Sequence, residues 1–363
     1  MEYVPQIDLR EEGVAAHARR RSAQALALRD ACLGWLPFGG LLARLVDPFA
    51  RGWLRRSGSP FLDDISAIAR TLGRPGIWLL HGAYAFGCTA LADDGPDGPV
   101  LRRTLDWPFP GLGRLVEVVH QRGPAGNFLN VTWPGFAGVL TAVAPGRFAA
   151  SINQAPMRRR TTAGWLLWLD YALNALAAFF SSGRPPPEHS LRIAFETCAT
   201  FDEACRFLES TPVARPVLFL VAGCAPGERV LIERDGNDSR VYRDETVVAN
   251  AWRDRSAGWR PRVCGEGTPV ENNRRRVAAM AACTGRHPPD LEWAMAPVVN
   301  VCTRVAVEMC AASGRLVVAG WEADGRVTKV TEVSCSSGPR ASGSLMLMSE
   351  PEARGPEEHD AMG

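Results

Sequence analysis

What most restricts the fold of this chain is a series of short β-forming segments between residues 88 and 153, each parted from the next by turn formers. Residues 88–92 run into Asp93-Asp-Gly-Pro-Asp-Gly-Pro99, a turn on composition alone, and the chain returns over 100–107, which predicts a hairpin. Residues 115–120, 128–132, 138–143 and 148–153 continue the series, so an antiparallel meander is expected here. Further strands are predicted over 216–222, 229–233, 240–242, 246–249, 298–307 and 315–321.

Helical patterns flank these strands. Residues 9–33 and 61–70 carry apolar side chains at helical spacing, the latter stopping at Gly73-Arg-Pro-Gly76, after which 77–80 reads as a strand. Between them, Trp35, Phe38, Leu41, Leu45 and Phe49 alternate with Arg44, Arg51 and Arg55, a basic amphipathic pattern. It suits either a membrane surface or two short helices packed on the body. Residues 164–180 are strongly apolar but fall short of the roughly 20 needed to span a bilayer, so they predict a helix in the core or one walling an apolar pocket. Helices are also expected over 191–197, over 201–208 behind a Thr200-Phe-Asp-Glu203 capping box, and over 272–283. Strands, then helices, then strands imply a layered α+β architecture. The Ser/Gly/Pro/Glu-rich residues beyond 335 predict a disordered tail.

Composition removes several functions. Lys+Arg 41 against Asp+Glu 39 gives +2, without the basic surplus of a dedicated nucleic-acid binder, so no nucleic-acid partner is expected. Lys329 is the single lysine, which sets aside Schiff-base and P-loop chemistry. The ten cysteines contain no C-x-x-C pair and the six histidines no ligand-like spacing, so neither metal nor cofactor is expected. H-E-x-x-H and G-x-S-x-G are absent too. The first residues have neither a basic n-region nor an apolar h-region, from which we expect a cytoplasmic chain with reduced thiols.

One constellation carries chemistry. Gly87-Cys88-Thr89 opens the first hairpin, and its return strand holds Arg103-Thr-Leu-Asp106, which a hairpin of this length brings alongside Cys88. A guanidinium beside the sulfur stabilises a thiolate. No histidine stands at comparable spacing, but cleavage between Gly87 and Cys88 would free an α-amine able to act as base for its own thiol, with Asp106 orienting it. Arg103 and Asp106, three apart, lie on opposite faces of a regular strand, whereas Arg102 and Asp106 share one; a strand ending or bulging at Thr104 or Leu105 is therefore expected. Cys283-Thr284 and Cys302-Thr303 repeat the Cys-Thr pair without such a hairpin.

These residues make the chain resemble the N-terminal-nucleophile cysteine hydrolases of the acid ceramidase and N-acylethanolamine acid amidase type, within the choloylglycine hydrolase group. In collinear order, Phe61-Leu-Asp-Asp-Ile-Ser-Ala-Ile-Ala-Arg70, Trp133-Pro-Gly-Phe-Ala-Gly-Val-Leu-Thr141, Ser151-Ile-Asn153, Ala249-Asn250-Ala-Trp252 and Asn272-Asn-Arg-Arg275 are similar to that family's segments. The resemblance implies a four-layer αββα sandwich over 88–335, preceded by a helical pro-segment over 1–87, whose association after cleavage it leaves open, and followed by a tail over 336–363.

It also implies roles: Cys88 as nucleophile and new N-terminus, Arg103 and Asp106 tuning it, Asn250 and Asn153 as oxyanion donors, and Arg274, rather than Arg275, as a brace. The implied activity is autocleavage at Gly87-Cys88, then hydrolysis of a linear amide in a small N-acylated, lipid-like substrate through a thioester, with peripheral membrane contact. An acyltransferase using the same thioester, or a silent lipid-binding scaffold, are the alternatives, the scaffold suggested by Asn272 and Asn273 where the family has two acids.

Overall fold

The computed structural model describes residues 1–34, 38–82, 87–161, 164–180, 182–244, 246–262 and 265–334. The expected tail beyond 335 and Trp35 lie outside these residues. The N-terminal part comprises β1 (Gln6–Asp8), α1 (Val14–Arg20), α2 (Ser22–Leu33), α3 (Gly39–Arg56), α4 (Leu62–Leu72) and α5 (Ile77–Leu80). The helix expected over 9–33 is two helices, because Arg21 leaves helical geometry at φ −115, ψ 31. Over the amphipathic stretch the described residues form one helix, α3, with Pro48 inside it. Residues 77–80, expected as a strand, form a helical turn instead. Gly76 enters it at φ 104, and the Asp47 carboxylate accepts from the Gly76 and Leu79 amides at 2.6 and 2.9 Å. Four apolar residues do not distinguish the two conformations; the distant cap does.

Downstream come β2 (Gly87–Gly95), β3 (Gly98–Asp106), β4 (Glu117–Gly123), β5 (Gly126–Thr132), β6 (Thr141–Ala144), β7 (Phe148–Gln154), β8 (Met157–Arg158), α6 (Leu167–Phe180), α7 (Pro187–Thr197) and α8 (Phe201–Ser210). They are followed by β9 (Val217–Ala222), β10 (Arg229–Asp235), β11 (Asp238–Tyr242), β12 (Val247–Val248), β13 (Trp259–Arg260) and α9 (Pro269–Ala281). The last strands are β14 (Thr303–Cys310), β15 (Arg315–Glu322), β16 (Gly325–Arg326) and β17 (Thr331–Ser334).

The strands assemble two large sheets. One runs β1-β4-β5-β6-β7-β9-β10-β11; the other runs β12-β2-β3-β14-β15-β16, with β17 also on β15. Alternation along β2 sets the layers. Cys88, Ala90 and Ala92 point into the core between the sheets, whereas Leu91 packs with Met280 of α9 and Trp293 on the outer side. On the opposite flank Phe195 of α7 stacks on Phe148 and Phe128 of the first sheet. Helix, sheet, sheet, helix is the expected four-layer α+β sandwich.

Two departures bear on function. The N-terminal part is not purely helical, because β1 pairs in parallel with β4 as the edge of the first sheet. Gln6-Ile7-Asp8 is too short to show a strand period. Helix α6 is not core either: Trp165 before it and Trp168 and Phe180 on it are 79%, 65% and 72% exposed, and of its side chains Asp170 is buried. Its apolar composition serves the other expected role, since Tyr171, Ala175 and Phe179 wall a large apolar cavity, while Trp168 and Phe180 face outward.

The N-terminal part is tied to the sandwich by a buried charge cluster. Glu117 of β4 meets His17 Nε2 at 2.6 Å and Arg21 Nε at 2.5 Å. Removing one partner of a buried pair leaves the others uncompensated, at a cost of about 3–5 kcal/mol. Glu117→Ala should therefore lower the melting temperature by several degrees, measured by differential scanning fluorimetry; an unchanged midpoint would show that the cluster contributes no stability.

Candidate active site

The start of β2 fixes everything around it. Cys88 pairs with Leu105 and Ala90 with Arg103 across the hairpin, so Arg103 lies diagonally from Cys88 on the same inner face. Its Nη2 donates to the Cys88 sulfur at 2.6 Å and to the Ile152 carbonyl at 3.0 Å, while Nη1 donates to the Leu140 carbonyl at 3.0 Å and to the Thr141 hydroxyl. This guanidinium is fully buried, and its bonds to β6, β7 and the approach to β6 aim it at the sulfur.

Asp106 pairs with Gly87 and faces the other way, toward α9. Thr303 Oγ1 donates to its Oδ1 at 2.7 Å and Asn300 Nδ2 to its Oδ2 at 3.1 Å. The face conflict between Arg103 and Asp106 is thus not relieved by a bulge in β3, which stays in register with β2 until it ends at Asp106; the irregularity falls in β14, between Thr303 and Val305. The two residues act on opposite faces of one strand end. Arg102 points to the α9 side, where Glu308 and Asp93 hold it at 2.9 and 3.0 Å.

Asn250 accepts from the Cys88 amide through Oδ1 at 2.8 Å and donates through Nδ2 to the Gln154 carbonyl at 2.8 Å. It thus holds the Cys88 nitrogen, and the amide group expected to face an oxyanion is engaged. Asn153 reaches the carbonyls of Val248 and Ala249 at 3.3 and 3.1 Å, fixing the approach to Asn250 without touching the cysteine.

Arg274 has to be corrected. Its side chain is 75% exposed and pairs with Glu271 on the surface, and Arg275 is exposed as well. The brace is Arg276. Its Nη1 donates to the Cys88 carbonyl at 2.6 Å and to Thr89 Oγ1 at 2.9 Å, and its Nη2 to Asn250 Oδ1 at 3.1 Å and Asn273 Oδ1 at 3.3 Å. Its Nε donates to Asn272 Oδ1 at 2.9 Å, and Nη1 lies 3.7 Å from Asp106 Oδ2. Helical spacing carried the signal, because Asn272, Asn273 and Arg276 share the buried face of α9. Thr303 and Asn300, nearly 200 residues from Asp106, left no such trace.

Burial pushes the Cys88 thiol up to about 11 in the intact chain, opposed by the positive charge of Arg103 and, more weakly, of Arg276; Asp106 raises it further. The thiol is fully buried. Cys88 does not itself line the cavity of about 680 Å³ that reaches this region through Gln154, the acceptor for Asn250 Nδ2, and Trp107, which follows Asp106; Trp133, Phe136, Trp53 and Phe179 make the rest largely aromatic.

A buried thiol at the start of an inner strand of an αββα sandwich, its backbone nitrogen held by an asparagine and its sulfur by an arginine, is the arrangement that the resemblance to N-terminal-nucleophile cysteine hydrolases implies. No family model matches the chain. In sequence the chain is similar to the N-acylethanolamine-hydrolyzing acid amidase of Cavia porcellus, 27% identical over 237 residues, 63% of this chain and 62% of that protein. It is also similar to the acid ceramidase of Bos taurus, 25% identical over 220 residues, 55% of this chain and 53% of that protein. The chain thus spans between half and two thirds of the length of these relatives. Among solved structures, a Caenorhabditis elegans N-acylethanolamine-hydrolyzing acid amidase ortholog overlaps 63% of this chain and 93% of its own, with a TM-score of 0.46 at 19% identity. The resemblance read from the motifs is therefore a resemblance to the acid amidases and acid ceramidases.

The two arginines of α9 separate cleanly by experiment. Arg276→Ala leaves the buried oxygens of Asn250, Asn272, Asn273 and Cys88 short of a donor, at about 1–3 kcal/mol for each group left unsatisfied. It should lower the denaturation midpoint markedly, while Arg274→Ala stays within about 0.5 kcal/mol of the parent. Equal effects in urea titrations would refute this assignment.

Proposed function

We propose that the chain is a self-processing cysteine amidohydrolase that cleaves the amide bond of an N-acylated, lipid-like substrate. The observation that carries this reading is the 2.6 Å contact of Arg103 with the Cys88 sulfur, on a residue whose amide and carbonyl are separately held by Asn250 and Arg276. Residues 1–87 are then a pro-segment and the sandwich from Cys88 the catalytic domain.

Maturation begins when the Cys88 sulfur attacks the Gly87 carbonyl carbon. The C–N bond to Cys88 breaks, its nitrogen takes up the thiol proton, and a thioester links Gly87 to the sulfur. Water hydrolyses that thioester, leaving a carboxylate on Gly87 and a free thiol and amine on Cys88. A buried thiol with a raised pKa is a poor nucleophile before this step; afterwards the adjacent amine, ordinarily near 7.7–8.0, serves as its base. In turnover the amine takes the thiol proton as the sulfur attacks the substrate carbonyl, passes it to the departing amine, and then activates water against the acyl thioester. Arg103 stabilises the thiolate throughout.

The pro-segment remains docked in this reading, since β1 and the Glu117 cluster are noncovalent and lie away from the cut. Substrate approach from a membrane surface is supported by α3 and α6, where Leu41, Leu45 and Phe49 on one helix and Trp168, Leu176 and Phe180 on the other are exposed large apolar groups. No helix among the described residues is long and apolar enough to cross a membrane.

Intact-mass analysis of the purified wild type should reveal a fragment that starts at Cys88, with Cys88→Ala remaining whole and inactive; turnover by an uncut chain would eliminate the amine-as-base mechanism. Arg103→Ala should slow both maturation and amide hydrolysis by about 10²-fold or more, read from the time course of fragment appearance and product release. Leu45→Glu with Trp168→Glu should abolish co-sedimentation with phosphatidylcholine/phosphatidylserine vesicles, and retained binding would remove the membrane part of the proposal.

A further inference from the structure

The carboxylate of Asp106 is fully buried, yet among the described residues no cation donates a hydrogen bond to it. The groups that do are neutral: Thr303 Oγ1 at 2.7 Å and Asn300 Nδ2 at 3.1 Å. Arg276 Nη1 lies 3.7 Å from Oδ2, beyond hydrogen-bond reach, and its two protons already go to the Cys88 carbonyl and Thr89 Oγ1. A buried charge without a hydrogen-bonded counter-ion costs several kcal/mol, and a cation formed beside it offsets that cost. Asp106 pairs with Gly87 across the hairpin, so a cut between 87 and 88 would create an ammonium next to its own strand end.

The two donors reach Asp106 through a break in the strand pattern. Along β14, Val305, Val307 and Met309 point into the core between the sheets with Cys88 and Leu105, and strict alternation would send Thr303 the same way, off the face that Asp106 occupies. The register slips here: Thr303 opposes Asp106 and Val305 opposes Leu105, leaving Arg304 as the extra residue. A one-residue bulge turns the side chain before it to the other face. Arg304, itself buried, clamps the bulge by donating to the carbonyls of Phe109, Val301 and Thr303 at 2.7, 3.1 and 2.8 Å. The polarity of the network is fixed as well. Asn300 Oδ1 accepts from the Cys302 amide at 2.9 Å, so its Nδ2 is the end that faces Asp106. Thr303 Oγ1 accepts from the Asn300 amide at 2.9 Å, so its one proton goes to the carboxylate.

Resting on the amidase reading, we infer that Thr303 and Asn300, aimed by the Arg304 bulge, are positioning residues that hold the Asp106 carboxylate for the ammonium that cleavage forms at Cys88. Without them the carboxylate turns toward Arg276, the nearest cation, and is lost to the amine. The charged groups acting on Cys88 are Arg103 on the inner side and Asp106 and Arg276 on the outer, so Asp106 is the single anion. After burial and Arg103 it is the next influence on the thiol, which it pushes up, so its field reaches this residue. A well-placed anion raises the pKa of an ammonium beside it, and a misplaced one leaves the amine a weaker base.

The test follows the amine directly. In the matured full chain labelled with nitrogen-15 cysteine, Cys88 carries the one labelled nitrogen outside a peptide bond, and its chemical shift is titrated against pH. Thr303→Val should lower the amine pKa by about one unit, whereas Thr303→Ser, which keeps the donor, should leave it at the wild-type value. Asn300→Ala, which removes the other donor and spares the bulge, should lower it in the same direction. In Thr303→Val and Asn300→Ala, kcat for N-octanoyl ethanolamine should fall about tenfold, the scale of one hydrogen bond to a charged group, with KM unchanged because neither side chain lines the cavity. An amine pKa that stays or rises in both variants, a loss carried by KM, or a Thr303→Ser enzyme as impaired as Thr303→Val overturns this inference while leaving the amidase reading intact. A wild-type chain that is never cut at Cys88 overturns both.

Discussion

Two fully buried guanidinium groups, Arg103 and Arg276, approach one residue from opposite sides of its strand, and the architecture is organised by the need to satisfy them. A charge removed from water costs several kcal/mol unless its donors are met. The two Nη groups of Arg103 meet acceptors on the inner side, in the Cys88 sulfur and the carbonyls of Leu140 and Ile152, while its buried Nε has none among the described residues. Arg276 meets its own on the outer side, in the Cys88 carbonyl and three asparagine oxygens. The cysteine is the one residue common to both, so it links the core between the sheets to α9.

This arrangement explains why amides stand at 272 and 273. Asn273 accepts from Arg276 and from the Asn250 amide through one atom, and donates to the carbonyls of Arg262 and Pro269 through the other. Asn272 likewise accepts from Arg276 and donates to the Glu266 carbonyl. An ionised carboxylate could accept from Arg276 but could not donate to a carbonyl. The two asparagines therefore need not signal a lost site; they tie the loop carrying Arg262 to the helix carrying Arg276.

How much of this was legible in the sequence follows from the range of each interaction. The hairpin placing Arg103 near Cys88 is local, its turn residues are explicit, and its register follows from chain length. The layers follow from alternation in β2 and from the helical period of α4 and α8. Position 276 lies one residue beyond the segment that carries the family resemblance, and the three-and-four helical spacing is what joins it to Asn272 and Asn273. The 77–80 turn and the short β1 were illegible for another reason: Asp47 caps the one and β4 recruits the other from far along the chain. Helix α6 was legible as the wall of an apolar pocket but not in its outward face, because apolar composition alone does not say which side of a helix is buried.

The cavity decides how the two halves of the chain depend on each other. Leu33, Trp53 and Leu80 wall it from before Cys88, and Trp107, Trp133 and Phe136 from after it. If the bond between 87 and 88 is cut, one wall belongs to each fragment, and an apolar site survives only while the fragments stay together. The ties are spread accordingly: the Glu117 cluster on β4, the Val4 amide on Thr331 Oγ1 at 2.8 Å, and the Lys329 amide on the Glu2 carbonyl at 2.8 Å reach strands of one sheet and the loop and last strand of the other. The N-terminal segment is thus anchored at the far edges of the sandwich, at points remote from residues 87 and 88, while it supplies part of the cavity wall.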